Sequence, residues 1–195
     1  MRKTFLVVAL TVTLVLSGCS IVRDIQTGLL PKVREFQLNA SIPSDRQEME
    51  NTAQQIIAAL DARDKEALRS LFSKKALSEA DDMDEGLAYI MEAYQGTSQT
   101  YGYTGRVVDD HFGPPGRTKL IFGHYNVETD YDTYELFFEY QMIDEANPEA
   151  VGLAYVRIFD SDMWDKHKGD VSSSVYGKLG IYTPDWEKEV KKDDE

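Results

Sequence analysis

Apolar residues recur at helical spacing in three stretches between residues 44 and 96, which predicts three amphipathic helices. Ser44 or Asp45 is suited to cap the first helix. Asp64 is suited to cap a shorter second helix, and the acidic cluster 81–85 suits the start of the third. The predicted core positions are Met49, Ala53, Ile56, Ile57 and Leu60, then Ala67, Leu68, Leu71 and Phe72, then Met83, Leu87, Ile90, Met91 and Tyr94.

The period changes to two after residue 97, which predicts about four β-strands joined by turns. The clearest alternation runs from Tyr134 to Met142, whereas the last strand, 151–159, is apolar on both faces. Helices followed by antiparallel strands predict an α+β domain, with three N-terminal helices packed on one face of the sheet. The tail after residue 160, which carries both tryptophans, is expected to cap the sheet.

Residues 54–73, which read QQIIAALDARDKEALRSLFS, resemble the opening of nuclear transport factor 2-like domains. In that superfamily a first helix ends in an ALDARD-type turn, a short second helix ends in Leu-Phe, and a bent sheet wraps the first helix into a cone. The similarity in element order covers about residues 45–160. The resemblance implies a pocket inside the cone and a homodimer formed through the sheet. The catalytic Asp and His motifs of the superfamily's enzymes do not align here.

Length and composition predict one globular domain, with 195 residues and 42% hydrophobic content. The formal net charge is −13. Because phosphate binding needs a basic surface, this charge argues against a nucleic-acid partner, and it also disfavours electrostatic adhesion to anionic lipid. The single cysteine, Cys19, excludes an intramolecular disulfide and a multi-cysteine metal site.

The amino terminus has the features of an export signal. Arg2 and Lys3 form a short positive region, an apolar run covers residues 5–16, and Leu16-Ser17-Gly18-Cys19 follows. That tetrapeptide resembles the lipobox of bacterial lipoproteins, in which a peptidase cuts before the cysteine and the thiol carries diacylglycerol. The resemblance implies a protein attached to a cell membrane by lipid on Cys19 and displayed on the extracytoplasmic face.

Three regions follow from this interpretation. Residues 1–18 are the signal peptide, residues 19–43 hold the lipidated cysteine and a tether, and residues 44–195 form one α+β domain with a C-terminal extension. Cleavage removes two cationic residues and changes the net charge from −13 to −15, so lipid rather than charge holds the protein at the membrane. With its lipobox and its helical opening, the chain is similar to uncharacterised clostridial-type lipoproteins that carry a nuclear transport factor 2-like domain.

His124 is the histidine best placed for chemistry, because it shares a strand face with Phe122 and Asn126. If that face lines the cone, His124 can act as a base or bind a polar ligand. The competing interpretation is a satisfied, partly buried histidine or one on the outer face of the sheet. Asp109, beside Asp110 and His111, is a candidate acid–base group at a strand end, although surface charge at such positions is common.

Tyrosines are frequent on the predicted strands, where they either line a ligand pocket or pack in the core. The candidates for the pocket are Tyr101, Tyr103, Tyr134 and Tyr140. The histidines lack the spacing of a helical metal site, and the sequence contains no phosphate-binding glycine loop and no nucleophile elbow. The sequence therefore predicts no metal and no cofactor, and it assigns no catalytic residue.

Three functions remain open from the sequence. The favoured one is a non-catalytic module that binds a small ligand or an envelope protein. The second is a small-molecule enzyme of the isomerase or dehydratase type that uses the cone pocket. The third is a structural or assembly lipoprotein whose cone is closed by its own side chains.

Overall fold

The computed structural model describes residues 43–167 and 178–183, which lie in one compact unit. Within this part of the chain, four helices precede the sheet: α1 (Pro43–Asp61), α2 (Lys65–Ser70), α3 (Lys74–Glu79) and α4 (Met83–Ala93). The strands are β1 (Ser98–His111), β2 (Thr118–Thr129), β3 (Thr133–Asp144), β4 (Gly152–Phe159) and β5 (Gly180–Ile181). A 3₁₀ turn (Pro148–Ala150) precedes β4, and helix α5 (Ser161–His167) follows it. The predicted signal peptide, Cys19, the tether before Pro43, and Trp186 lie outside the described residues.

The sheet has five strands in the order β1-β2-β3-β4-β5. Strands β1 to β4 pair antiparallel, and β5 pairs parallel to β4. The α+β class and the antiparallel order of the four long strands are therefore confirmed. Two elements differ from the prediction: α3 adds a fourth helix before the sheet, and β5 adds a fifth strand after it.

Side-chain caps define the short helices. The Asp64 carboxylate accepts a hydrogen bond from the Ala67 amide at 2.9 Å, as the sequence predicts for the start of α2. Ser73 caps α3 in the same way, because its hydroxyl accepts from the Ala76 amide at 3.0 Å. Each cap satisfies an amide that has no partner within its own helix.

The core lies between the helices and one face of the sheet, which we call the inner face; the opposite face is the outer face. The inner face is recognised by the alternation of buried residues along β2 and β3, such as Tyr125, Leu136 and Phe138. Strand β4 is buried on both faces, as predicted from its apolar sequence. The predicted apolar positions of α1 and α4 are all buried, as is Tyr94, which directly follows α4. The helix positions are Met49, Ala53, Ile56, Ile57, Leu60, Met83, Leu87, Ile90 and Met91.

The segment between α2 and α3 joins the helices to the sheet at the start of β4. The Leu153 amide donates to the Leu71 carbonyl at 3.0 Å, and the Ser73 amide donates to the Leu153 carbonyl at 3.0 Å. Gly152 permits this close approach: its φ is +130°, and a Cβ atom there would stand 2.8 Å from the Ser73 nitrogen. Only glycine adopts such a backbone conformation without strain.

The chain beyond α5 returns to the outer edge of β4. Ile181 is buried, and its Cβ would lie 2.7 Å from a Cβ placed on Gly86 of α4, so the glycine allows β5 to pack tightly on the helix. The Tyr182 amide extends the pairing by donating to the Val156 carbonyl at 3.0 Å. Within 43–167 and 178–183, no helix has the length and apolar character needed to cross a membrane.

Candidate functional site

The four candidate tyrosines all lie on the inner face of the sheet. Tyr101 and Tyr134 are 3% and 1% exposed, whereas Tyr103 and Tyr140 are partly buried and pack against the same core. The Tyr134 hydroxyl accepts a hydrogen bond from the Gln95 amide at 2.8 Å. Tyr101 and Tyr134 therefore serve as core residues. Tyr140 also borders a surface cleft, and Tyr101 and Tyr103 lie along a separate groove on β1 and β2.

Glu50 of α1 faces the tyrosines of β1 and β2. The Tyr125 hydroxyl donates to a Glu50 carboxylate oxygen at 3.1 Å. Burial first, and then the Glu50 charge, raise the pKa of Tyr101 to about 12 and also raise the pKa of Tyr125. These hydroxyls therefore stay protonated over the physiological range, where they can donate hydrogen bonds but do not act as bases.

His124 and Asp109 lie on the outer face, so the structure does not bring them together with the tyrosines. His124 Nε2 is 2.7 Å from Glu135 Oε2, and the Asn126 side-chain amide donates to Glu135 Oε1 at 3.0 Å. The His124 ring stacks on Phe137 with 4.0 Å between ring centroids. Asp109 is exposed near the end of β1, and no pair joins it to His124 in the described residues.

A groove of about 220 Å³ lies beside this cluster on β1 and β2. Glycine creates the space, because Gly102 lies between the threonines at positions 100 and 104, opposite Asn126. Tyr101 and Tyr103 also line the groove, and its polar side chains include Glu128. It adjoins the outer-face cluster through Asn126.

A larger cleft of about 310 Å³ opens where α1, the α2–α3 segment and the start of β4 meet. We call it the Tyr140 cleft. Its polar side comes from α1 and β3, and its apolar side comes from the chain around α2 and β4. The lining residues are Glu48, Thr52, Gln55, Ser70, Leu71, Phe72, Tyr140, Val151 and Gly152.

Glu48 and Tyr140 form the electrostatic centre of this cleft. Burial first, and then the charge of Glu48 and a hydrogen bond to it, raise the pKa of the Tyr140 hydroxyl. Thr52 is already engaged, because its hydroxyl donates to the Glu48 carbonyl at 2.9 Å. Ser70 likewise donates to the Ala67 carbonyl at 2.7 Å. The groups left to meet a ligand are therefore the Glu48 carboxylate, the Tyr140 hydroxyl and the Gln55 amide.

Of these three residues, the sequence singled out only Tyr140. A signal for the α1 residues exists, because positions 48, 52 and 55 follow the i, i+4, i+7 spacing of one helical stripe. That stripe runs beside the apolar stripe of Met49, Ala53 and Ile56. A polar stripe of this kind is also typical of an ordinary solvent-exposed helix surface, so the spacing alone does not distinguish a ligand site.

A buried ion pair lies at the start of α1. Lys119 Nζ is 2.5 Å from Asp45 Oδ1, and both side chains are only 6% exposed. Asp110 is also near Lys119, at 3.7 Å, and it is held by a two-point contact with the Arg117 guanidinium at 3.0 and 2.9 Å. This network connects the first turn of α1 to β1 and β2.

Glu139 is a partly buried carboxyl on the outer face, between Phe122 and Tyr155 in the strand register. Burial raises the pKa of Glu139 to about 7 from the ordinary 4.5. Because the folded state then holds the proton more tightly than the unfolded state, the free energy of unfolding should decrease as the pH rises from 4.5 to about 7.

We expect Glu139→Gln to remove this pH dependence, because glutamine carries no charge to desolvate. At about pH 8 the variant should be roughly 1–3 kcal/mol more stable than the wild type, and at about pH 4 the two should agree closely. Urea unfolding across this range measures the difference. Glu128→Gln, at an exposed carboxylate, is the control and should give a flat difference curve. A flat curve for Glu139→Gln as well would contradict the prediction.

Metal binding has no support in the described residues, since 43–167 and 178–183 contain no group of three or more His, Cys, Asp or Glu side chains that could hold an ion. The Asp160 carboxylate accepts a hydrogen bond from the Met163 amide at 2.7 Å at the start of α5.

A protein-family model matches the chain. The family described as "Domain of unknown function (DUF5104)" matches residues 55–161, which is more than half of the chain. The chain belongs to this family. The DUF5104 segment runs from within α1 to the first residue of α5, so it includes Tyr140, Phe72 and Gly152 but not Glu48 or Thr52. No curated protein matches the chain.

Proposed function

We propose that this protein is an extracytoplasmic lipoprotein, anchored by lipid on Cys19, whose domain is a non-catalytic binding module. The observation that carries the binding role is the Tyr140 cleft, where a carboxylate, a hydroxyl and an amide converge beside apolar residues in a space of about 310 Å³. A volume of about 310 Å³ lies at the lower end of the range for small-molecule sites, in which a few polar groups fix the orientation of the ligand.

Hydrogen bonding favours binding over catalysis in this cleft. The hydroxyls of Thr52 and Ser70 donate to backbone carbonyls, so neither is paired with a base that would activate it as a nucleophile. The Tyr140 hydroxyl has a raised pKa, which suits a hydrogen-bond donor and not a base.

We also propose that the domain is a nuclear transport factor 2-like cone. The element order supports this, because the helices come first and α1 packs on the inner face of a long antiparallel sheet. The Leu71-Phe72 segment, which carries part of the sequence resemblance, ends α2 and contacts the start of β4. In this arrangement aliphatic side chains, together with rings such as those of Tyr125 and Phe138, fill the interior, and the Tyr140 cleft lies at the surface beside α1.

Proton-transfer catalysis on the outer face is the second candidate function, and the His124–Glu135 contact of 2.7 Å favours it. If neutral His124 donates its Nε2 proton to Glu135, Nδ1 becomes an acceptor. Gly105 leaves space beside that atom, since a Cβ there would still be 3.8 Å from Nδ1. A carboxylate that fixes one imidazole nitrogen is a common way to orient the other for acid–base work.

The anchor is tested by replacing the lipidated residue. We expect Cys19→Ser to leave an uncut precursor that takes up no labelled palmitate, because serine lacks the thiol that forms the thioether. Mass spectrometry of the wild-type mature chain should find an N-terminal peptide that begins at Cys19 and carries acyl chains. Normal cleavage and labelling of the serine variant would refute the anchor.

The binding role is tested on wild-type protein purified from its native host. Native mass spectrometry should detect a non-covalent adduct of fixed mass that disappears on denaturation. Gln55→Trp should block the cleft from its exposed edge and abolish the adduct, whereas Glu128→Trp, on the outer face, should retain it. An adduct that persists in Gln55→Trp and disappears in Glu128→Trp would locate binding in the outer-face groove instead.

A further inference from the structure

The charge of the Tyr140 cleft restricts what it can hold. Glu48 is the one charged side chain among the residues that line it, so the cleft carries a negative charge and no lining cation to neutralise it. The whole chain adds to this field, with a formal net charge of −13. A negative field concentrates cations and repels anions, which disfavours ligands of net negative charge.

The polar groups of the cleft present mostly acceptors. Tyr140 donates its proton toward Glu48, which leaves the lone pairs of the hydroxyl oxygen directed elsewhere. Glu48 offers carboxylate oxygens, and Gln55, on the same stripe of α1, offers an amide oxygen. A primary ammonium group has three donors and no acceptor, which complements this set. Hydrogen bonds between an ammonium and a carboxylate are among the stronger ones in proteins.

Apolar side chains form the smaller part of the lining. Leu71, Phe72 and Val151 face the same space, and the ring of Tyr140 adds an aromatic surface that favours a nearby cation. The volume of about 310 Å³ corresponds to roughly ten water molecules at about 30 Å³ each. An occupant that matches this lining is therefore a compact molecule with an ammonium head and a small apolar part.

We propose that the Tyr140 cleft binds the primary ammonium group of a small amphipathic amine, with Glu48, Tyr140 and Gln55 as its acceptors. This inference rests on the proposed binding role and specifies its ligand class. The same chemistry occurs in free amines and in the headgroup of phosphatidylethanolamine, which a lipid-anchored domain would meet at its own membrane.

Calorimetry on the mature lipoprotein in a nonionic detergent tests the ligand class with two matched probes. 2-Phenylethylamine and 2-phenylethanol differ in one polar group, so their comparison isolates the ammonium. We expect the amine to bind at least about tenfold more tightly than the alcohol. Equal affinities, or tighter binding of the alcohol, would overturn the proposal.

Variants locate the binding. Glu48→Gln should weaken binding of the amine about tenfold, and Glu128→Gln, which removes the same charge from the outer face, should leave it unchanged. Gln55→Leu should weaken binding of the amine by a smaller factor than Glu48→Gln. Because Gln55 is exposed, this variant should fold normally, and it therefore still tests the site if Glu48→Gln impairs folding. If Glu48→Gln and Glu128→Gln weakened binding of the amine equally, only the overall charge of the protein would attract the amine. That result would contradict binding in the Tyr140 cleft.

An experiment in lipid vesicles distinguishes a free amine from the headgroup of phosphatidylethanolamine as the ligand. If the headgroup occupies the cleft, lipoprotein in phosphatidylcholine vesicles that contain phosphatidylethanolamine should bind 2-phenylethylamine more weakly than in phosphatidylcholine alone. Unchanged affinity supports a free amine. Protein that retains a ligand from its host but binds neither amine source would disprove the ammonium assignment and leave the proposed binding role intact.

Discussion

Lys119→Met will destabilise the folded domain by about 3–5 kcal/mol, because it removes the ammonium that faces a buried carboxylate. Asp45 and Lys119 are both 6% exposed and are 2.5 Å apart, so water cannot replace the lost partner without opening the start of α1. Urea unfolding of the variant, monitored by circular dichroism, measures the loss.

Asp45→Asn should have a smaller effect than Lys119→Met, since Asp110 remains 3.7 Å from the Lys119 ammonium. The double variant Asp45→Leu/Lys119→Met should recover part of the loss, because two apolar side chains leave no unpaired charge. Lys74→Met, at a side chain that is 80% exposed, is the control and should change stability by about 0.5 kcal/mol or less. A loss no larger than that of this control would show that the buried pair contributes little.

Gly152→Ala should cost about 3 kcal/mol or more, because the substitution introduces two penalties at one position. A φ of +130° is strained for any residue with a Cβ, and that Cβ would stand 2.8 Å from the Ser73 nitrogen. The segment between α2 and α3 would have to move away from β4, which also deforms the Tyr140 cleft. Thermal unfolding and amine affinity should both decrease.

Gly105→Ala is the matched control, since it also adds a methyl group to a glycine in a strand. Its nearest neighbour would be His124 Nδ1 at 3.8 Å, an ordinary contact distance, so stability should change by less than about 1 kcal/mol. If Gly152→Ala and Gly105→Ala had the same free energy of unfolding, the close approach of Gly152 to Ser73 would not constrain the fold.

Periodicity predicted the long elements correctly because their burial is one-sided. Met49 to Leu60 on α1 and Tyr134 to Phe138 on β3 are buried at the spacing expected for a helix and for a strand. The pattern did not identify α3, because that helix has six residues and buries only Ala76. Strand β5 has two residues, too few to show any alternation, and its partner β4 is distant in sequence.

Alternation also predicted which strand residues share a face, but it did not indicate which face meets the helices. His124 lies with Asn126 as expected, yet on the outer face, because both faces of β2 and β3 carry aromatic residues. The Tyr140 cleft was beyond a local pattern, since it forms only where α1 meets the distant residues Phe72 and Gly152.

The pairing of β5 with β4 has a practical consequence for anyone who divides this chain into fragments. The recognised family segment stops at residue 161, yet Ile181 fills the space beside Gly86, and Tyr182 packs against Phe159 with 5.7 Å between ring centroids. A fragment that ends at 161 would leave the backbone of β4 open along one side and expose aromatic rings to water. Such an edge favours pairing between molecules, so the truncated protein should precipitate where the full domain stays in solution.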